Sequence, residues 1–274
     1  MSAEKNYLTI SVDYKKAANI LKTVSDAKRC QLLVKIHDVL KENAEEIKKA
    51  NETDLKESTE QNLSSSLIKR LDLFKGDKFD VMLKGIKEVI ALENPTGKLL
   101  LKRQLDEHLT LYKKTVPIGS LLVIFESRPE VIANIVSLAI KSGNACILKG
   151  GKESVNTFRI MAQLINDTIE SSFEEFGIPK ASVQLIETRD DVNQLLAMDG
   201  YIDLVVPRGS NALVKRIKDS TKIPVLGHAD GICSIYADKD LDNYIEQAKR
   251  IVVDAKTNYP AGCNAVETLL IHKH

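Results

Sequence analysis

The run SLLVIF at positions 120–125 has no charged residue and no polar side chain after its first. It is too short for most helices, and a continuous apolar run suits a strand covered on both faces. The next hundred residues repeat the theme. Apolar residues return at helical spacing over 131–142, a second buried strand reads at 145–148, and a second helix at 154–171. Strands at 183–186, 204–206 and 224–226 alternate with helical patterns over 190–198 and 211–220. Strand then helix, at least four times, predicts an α/β fold with a doubly wound, mostly parallel, Rossmann-like sheet and ligands at the carboxyl ends of its strands.

Working outward, the segment before the sheet is helical. Ala17, Ile20, Leu21 and Val24, then Leu32, Leu33, Ile36, Val39 and Leu40, recur among lysines and glutamates, predicting two helices within 14–50 broken near Ser25-Asp26. Further helices read at 67–74 and 80–91, the latter ended by the turn cluster Asn94-Pro-Thr-Gly97. Residues 99–112 read as two short strands around Asp106-Glu107, a hairpin able to add to a neighbouring subunit. The expected organisation is one domain over 1–231, comprising helices (1–97), hairpin (98–116) and sheet (117–231). The start of a second α/β domain occupies 232–274.

The 274 residues are 43% apolar, enough for a large core, and 39 basic against 38 acidic side chains leave a net charge of +1. No domain-wide positive field exists to hold a nucleic acid or an anionic membrane, so a small molecule is the expected partner. The amino-terminal stretch carries no apolar run of signal-peptide length, and nowhere do eighteen apolar residues follow one another, so a cytoplasmic location is expected. Four cysteines and five histidines form no CxxC pair and no metal-ligand spacing, predicting reduced thiols and no metal.

Three loops carry candidate chemistry. Lys149, Gly150 and Gly151 come directly after a buried strand, where glycines let a phosphate or ribose approach the backbone and the lysine offers a charge; ordinary turn residues are the alternative. Arg208, Gly209 and Ser210 repeat the arrangement after the strand at 204–206, and suit a pyrophosphate or acyl phosphate unless Arg208 is a surface residue and Ser210 an N-cap. Cys263 comes after a Pro-Ala-Gly turn. If that turn opens a helix, local amides would favour the thiolate and face an oxyanion; an inert small apolar residue is the alternative, and also the reading for Cys30, Cys146 and Cys233.

Seven segments together carry a resemblance: Val116-Pro-Ile-Gly119, Phe125-Glu-Ser-Arg-Pro-Glu-Val131, Lys141-Ser-Gly-Asn-Ala145, Leu148-Lys-Gly-Gly-Lys-Glu153, Ile202-Asp-Leu-Val-Val-Pro-Arg-Gly209, Gly227-His-Ala-Asp-Gly231 and Asn258-Tyr-Pro-Ala-Gly-Cys263. In this order they resemble the signature segments of the γ-glutamyl phosphate reductases, a family of the aldehyde dehydrogenase superfamily, and their flavour is similar to the fungal members. The resemblance runs from about residue 15 to the last.

It implies NADPH-dependent reduction of L-glutamyl 5-phosphate to glutamate 5-semialdehyde and phosphate, the second step from glutamate to proline. Cys263 would be the nucleophile, with Asn258 and Asn264 stabilising the oxyanion. Lys149, Gly150 and Gly151 would hold the cofactor ribose, and Arg208, Gly209 and Ser210 its pyrophosphate or nicotinamide, making 1–231 the NADP-binding domain. Ser127, Arg128 and His228 would meet the substrate, although His228 and Asp230 fit a tight turn equally well. Aldehyde-oxidising relatives resemble one another in a glutamate before a Leu-Gly-Gly turn, which activates water; here Val225 precedes Leu226-Gly227, in keeping with a reductase.

The family pattern continues beyond position 274. The expectation is a truncated chain, its apolar faces uncovered, which binds NADPH weakly and does not turn over. A full-length form is expected to be a homo-oligomer served by a glutamate kinase, and not visibly the fused kinase-reductase form. Another thiol-dependent acyl or aldehyde oxidoreductase, or a non-catalytic dinucleotide-binding module, are the rival readings.

Overall fold

The structure, a computed structural model, describes residues 7–227, 231–241, 243–258, 260 and 264–273. The chain divides into two compact units, one of residues 1–209 and 216–227, the other of 210–215 and 228–274.

The larger unit opens with helices α1 (Tyr7–Leu21), α2 (Asp26–Glu42), α3 (Ala44–Glu60), α4 (Ser65–Leu71) and α5 (Lys78–Ala91). The Ser25 side chain accepts from the Lys28 N–H and caps α2, at the expected break. The expectation of two helices within 14–50 is corrected to three, because the chain turns again at Asn43 and α3 runs on to Glu60. The buried stripe of α3 is Ile47, Asn51, Asp54 and Ser58: helical spacing, but polar, so hydrophobic periodicity alone misses it.

Strands β1 (Leu99–Asp106) and β2 (Leu109–Lys114) pair antiparallel around a turn in which His108 has φ 64°. Every residue of β1 is exposed, Leu99, Leu100, Leu101 and Leu105 among them.

The remaining elements alternate as expected: β3 (Ser120–Ile124), α6 (Val131–Lys141), β4 (Ala145–Lys149), α7 (Val155–Ser171), the single turn α8 (Phe173–Phe176), β5 (Val183–Ile186), α9 (Arg189–Leu196), β6 (Leu204–Pro207) and α10 (Asn211–Ser220). The sheet is parallel with order β5-β4-β3-β6. The strand expected at 224–226 is reduced to one parallel bridge, Val205 to Val225, because Pro224 offers the ladder no N–H. β3 and β4 are buried almost throughout, as strands covered on both faces must be.

On one face α6 packs on β4 and α7 on β5, with α2 and α5 outside them; α1 lies against β3, β4 and α9. Leu32, Leu33, Ile36, Val136, Ile140, Leu148, Met161 and Ile165 knit these layers, each contributing about 1.5–3 kcal/mol by burial. Tyr14 pins α1 to the central strand, its hydroxyl donating to the Leu121 carbonyl and accepting from the Leu121 N–H, both at 2.7 Å.

The smaller unit contains β7 (Cys233–Ala237), α11 (Ile245–Thr257) and β8 (Val266–Ile271), a parallel pair joined through a helix. No residue of α11 is buried, and Ile251, Val253, Leu270 and Ile271 are exposed. The expectation that the cysteine turn opens a helix is corrected: the next element is strand β8, whose β-branched and leucine-rich VETLLI pairs with β7.

Candidate functional site

Three strand ends converge at the carboxyl edge of the four-stranded sheet. The Phe125 N–H donates to the Lys149 carbonyl at 2.9 Å, and the Arg208 N–H to the Ile124 carbonyl at 2.6 Å. The chain after β3 is thus laced to the chain after β4 on one side and after β6 on the other. Strand order reverses between β3 and β6, the switch point where open α/β sheets leave a crevice for ligands. The two glycine-bearing ends flank β3 instead of adjoining each other.

Gly150 and Gly151 are required by close packing. A Cβ on Gly150 would lie 2.2 Å from the Phe158 ring, which is 2% exposed and meets Phe125 edge-on. A Cβ on Gly151 would lie 1.9 Å from Ser127 Oγ and 2.8 Å from the Ser127 backbone nitrogen. The loops after β3 and β4 therefore pack closely, a glycine cradle whose space is taken by Ser127 and the Phe158 ring.

Within it Ser127 is buried and its hydroxyl donates to Glu153. Arg128, next in sequence, is exposed. The Lys149 ammonium donates to the Gly150 carbonyl. Burial, and then the charge of Arg189, press its pKa below the ordinary lysine value, against the opposing pull of Glu153, Asp191 and Glu187. Glu187 is itself gripped by Arg159 through paired bonds of 2.7 and 2.5 Å.

The amino end of α7 would be the usual seat for a pyrophosphate. Here Asp54 of α3 occupies it. The Asp54 carboxylate accepts from the Asn156 N–H (3.1 Å) and side-chain amide (2.9 Å), and from the Thr157 N–H (2.8 Å) and hydroxyl (2.6 Å). The first amides of α7 are thus taken by Asp54. The sequence reading missed Asp54, Glu153 and the Arg159–Glu187 pair; the helical spacing of polar Asn51, Asp54 and Ser58 was the available signal for the first.

Arg208 is exposed, and Gly209 half-buried. Ser210 Oγ accepts from the Leu213 N–H at 3.4 Å, the N-cap geometry that the sequence left open.

Part of the motif set works at the opposite, amino edge of the sheet. Asp203 accepts from Lys15 Nζ (2.6 and 2.8 Å) and from the Ser120 N–H (2.8 Å), while Asn144 accepts from the Gly119 N–H (2.8 Å). Gly119, at φ 129°, leaves no room for a Cβ beside Asp203. These residues start β3, β4 and β6 in register; they are far along the strands from the cradle.

In the smaller unit Asn258 ends α11 and Asn264 precedes β8, both exposed. Lys256 Nζ donates to the Val266 carbonyl at 2.9 Å, so the helix end and the strand start lie together. Cys263 and His228 lie outside the described residues. A 380 Å³ apolar cavity, lined by Ala237, Ile245, Ala248, Val252, Leu269 and Ile271 among others, sits at the carboxyl ends of β7 and β8, the opposite end of this unit from Asn258 and Asn264. Among the described residues no three His, Cys, Asp or Glu side chains are grouped to hold a metal, and no helix is long and apolar enough to cross a membrane.

The sequence pattern of the aldehyde dehydrogenase family matches residues 9–274. The gamma-glutamyl phosphate reductase of Saccharomyces cerevisiae is 66% identical over 263 residues, 96% of this chain and 57% of that protein. The crystal structure of the yeast reductase superimposes with a TM-score of 0.78 at 63% identity, over 99% of this chain and 67% of that one. That of the Thermotoga maritima reductase gives 0.86 at 32% identity, over 98% and 64%. The chain spans little more than half the length of the curated relatives it matches, 57% and 59% for the first two.

Proposed function

Because this chain belongs to the aldehyde dehydrogenase family, we propose that it is the cofactor-binding and nucleophile-bearing part of an NADPH-dependent reductase of L-glutamyl 5-phosphate. The product is glutamate 5-semialdehyde, which places the reaction second on the route from glutamate to proline. The observation that carries the reading is the Gly150–Gly151 loop packed on Ser127 at the carboxyl ends of β3 and β4, beside the switch point between β3 and β6.

In this reading 1–231 is the nucleotide-binding domain and 232–274 the start of the catalytic one. Lys149, Gly150 and Gly151 would hold the cofactor ribose, and Arg208, Gly209 and Ser210 its pyrophosphate or nicotinamide. A bound nicotinamide dinucleotide supplies hydride.

The protein's own residues do the rest. The Cys263 thiolate attacks the acyl phosphate carbon, phosphate leaves, and a thioester remains on the sulfur. Asn258 and the Asn264 N–H stabilise the oxyanion of that step. Arg128 and His228 hold the substrate's anionic groups; Ser127 joins them by releasing Glu153. Val225, in place of a carboxylate, leaves no base to activate water, so the thioester waits for reduction instead of hydrolysis. The exposed leucines of β1 and β2 support a homo-oligomer in which the hairpin adds to a neighbour. A glutamate kinase is the partner that would deliver the labile acyl phosphate.

The test is acylation without reductant. Adding γ-glutamyl phosphate to the chain should leave a glutamyl thioester on Cys263, found by peptide mass spectrometry and absent from Cys263→Ala. Acylation at another residue, or at none, contradicts the assignment.

A further inference from the structure

Away from the strand ends, Cys30 of α2 and Lys141 of α6, 111 residues apart in sequence, meet at 3.1 Å between Sγ and Nζ. Lys141 Nζ also donates to Asp26 Oδ2 at 3.0 Å and to the Ile90 carbonyl at 3.3 Å, and its side chain is 4% exposed. Asp26 Oδ2 lies 3.8 Å from the thiol, while Asp26 Oδ1 is covered from solvent and accepts no hydrogen bond among the described residues. The Arg29 guanidinium stands 3.7 Å from Asp26. Cys30 itself is half-buried. A thiol, an amine and a carboxylate thus lie within bonding reach of one another, in a place the proposed reaction does not use.

We propose that Cys30 and Lys141 form an oxidative cross-linking site, at which hydrogen peroxide joins sulfur to nitrogen and staples α2 to α6. In the first step the thiol attacks a peroxide oxygen: the S–O bond forms, the O–O bond breaks, and water leaves. The sulfur is oxidised by two electrons to sulfenic acid and the peroxide is reduced. One proton leaves the Lys141 ammonium for solvent base, and the free amine attacks the sulfur. The S–N bond forms, the S–O bond breaks, and the departing hydroxide takes the second amine proton and leaves as water.

The experiment treats the 274-residue chain with hydrogen peroxide and maps it by proteolysis and tandem mass spectrometry. The expected product is one linked pair of peptides containing Cys30 and Lys141, with the mass of the two less two hydrogens. It should vanish on thiol reduction, in Cys30→Ser, in Lys141→Arg, which keeps the charge, and when dimedone is present to trap the sulfenic acid. Cys30 found unchanged, as sulfinic or sulfonic acid, or as a dimedone adduct in a reaction never containing linked peptide, overturns the proposal. A linked pair that retains an oxygen overturns the condensation step.

Discussion

Asp54 of α3 caps α7 across the fold, its carboxylate accepting from both the N–H and the hydroxyl of Thr157. Asp54 is 1% exposed and Thr157 is fully buried, so the pair is cut off from water. Asn51, one turn earlier, takes the Leu73 N–H and donates to the Leu71 carbonyl and Thr157 Oγ1, tying α4 and the turn after it into the same network. The network sets where α7 begins, and hence where the Gly150–Gly151 loop before it lies.

Asp54→Ala should therefore destabilise the chain by roughly 2–4 kcal/mol, since it orphans buried donors instead of removing a matched pair. Urea unfolding followed by circular dichroism measures this. A loss below about 0.5 kcal/mol, the ordinary scatter of surface substitutions, would mean that the network does not hold α7.

Gly150→Ala should cost about 1–3 kcal/mol, because the new methyl meets the Phe158 ring in a closed core. Phe158→Leu in the same chain should recover part of that loss, so the double variant is more stable than the sum of the two single effects. Thermal unfolding of the four proteins checks the coupling.

The amino edge of the sheet gives a pH dependence. Burial pushes Asp203 upward, but the Lys15 hydrogen bond, the Ser120 N–H and the charges of Lys15 and Lys22 outweigh it, and the carboxyl stays below its ordinary 3.8. A depressed folded-state value means stability that is present above pH 3.8 and lost as pH falls through the lower, folded value. Asp203→Asn should be less stable than wild type at neutral pH and should approach it on acidification. Parallel acid titrations of stability would refute this if the gap were constant.

How far the sequence carried these conclusions depended on what each element buries. β3, β4 and β5 are short, apolar and bounded by turns, and the strands stand within a residue of where periodicity puts them. α3 escaped because its inward side chains after Ile47 are polar, and become legible once Asn156 and Thr157 are seen beside them. α11 buries none of its residues, but Ile245, Ala248 and Val252 recur at helical spacing, so its apolar face was legible and went unread. The glycine cradle was legible as a loop after a strand; that Gly151 must accept Ser127 was not, since the contact joins positions 24 apart. Lys141 and Cys30 read as a motif lysine and an inert thiol, and only the packing of α2 on α6 shows that they touch.

Thiol reactivity should track the surroundings. Cys146 is fully buried and burial pushes its thiol up to about 12, so it should resist iodoacetamide in the native chain. The proposed nucleophile Cys263 should be modified first, and NADPH together with a glutamate analogue should slow it. Timed alkylation with peptide mapping gives the order.

The central claim is that a nicotinamide dinucleotide lies in the cradle between the ends of β3 and β4. Its most direct test is an equilibrium titration of NADPH into the chain, read by the cofactor's own fluorescence, with Lys149→Met and Gly151→Val alongside. Saturable binding by the wild type, weakened by the lysine change and abolished by the valine in a chain whose circular dichroism is unaltered, is the predicted result. Binding untouched by both substitutions, or no binding by the wild type, would contradict it.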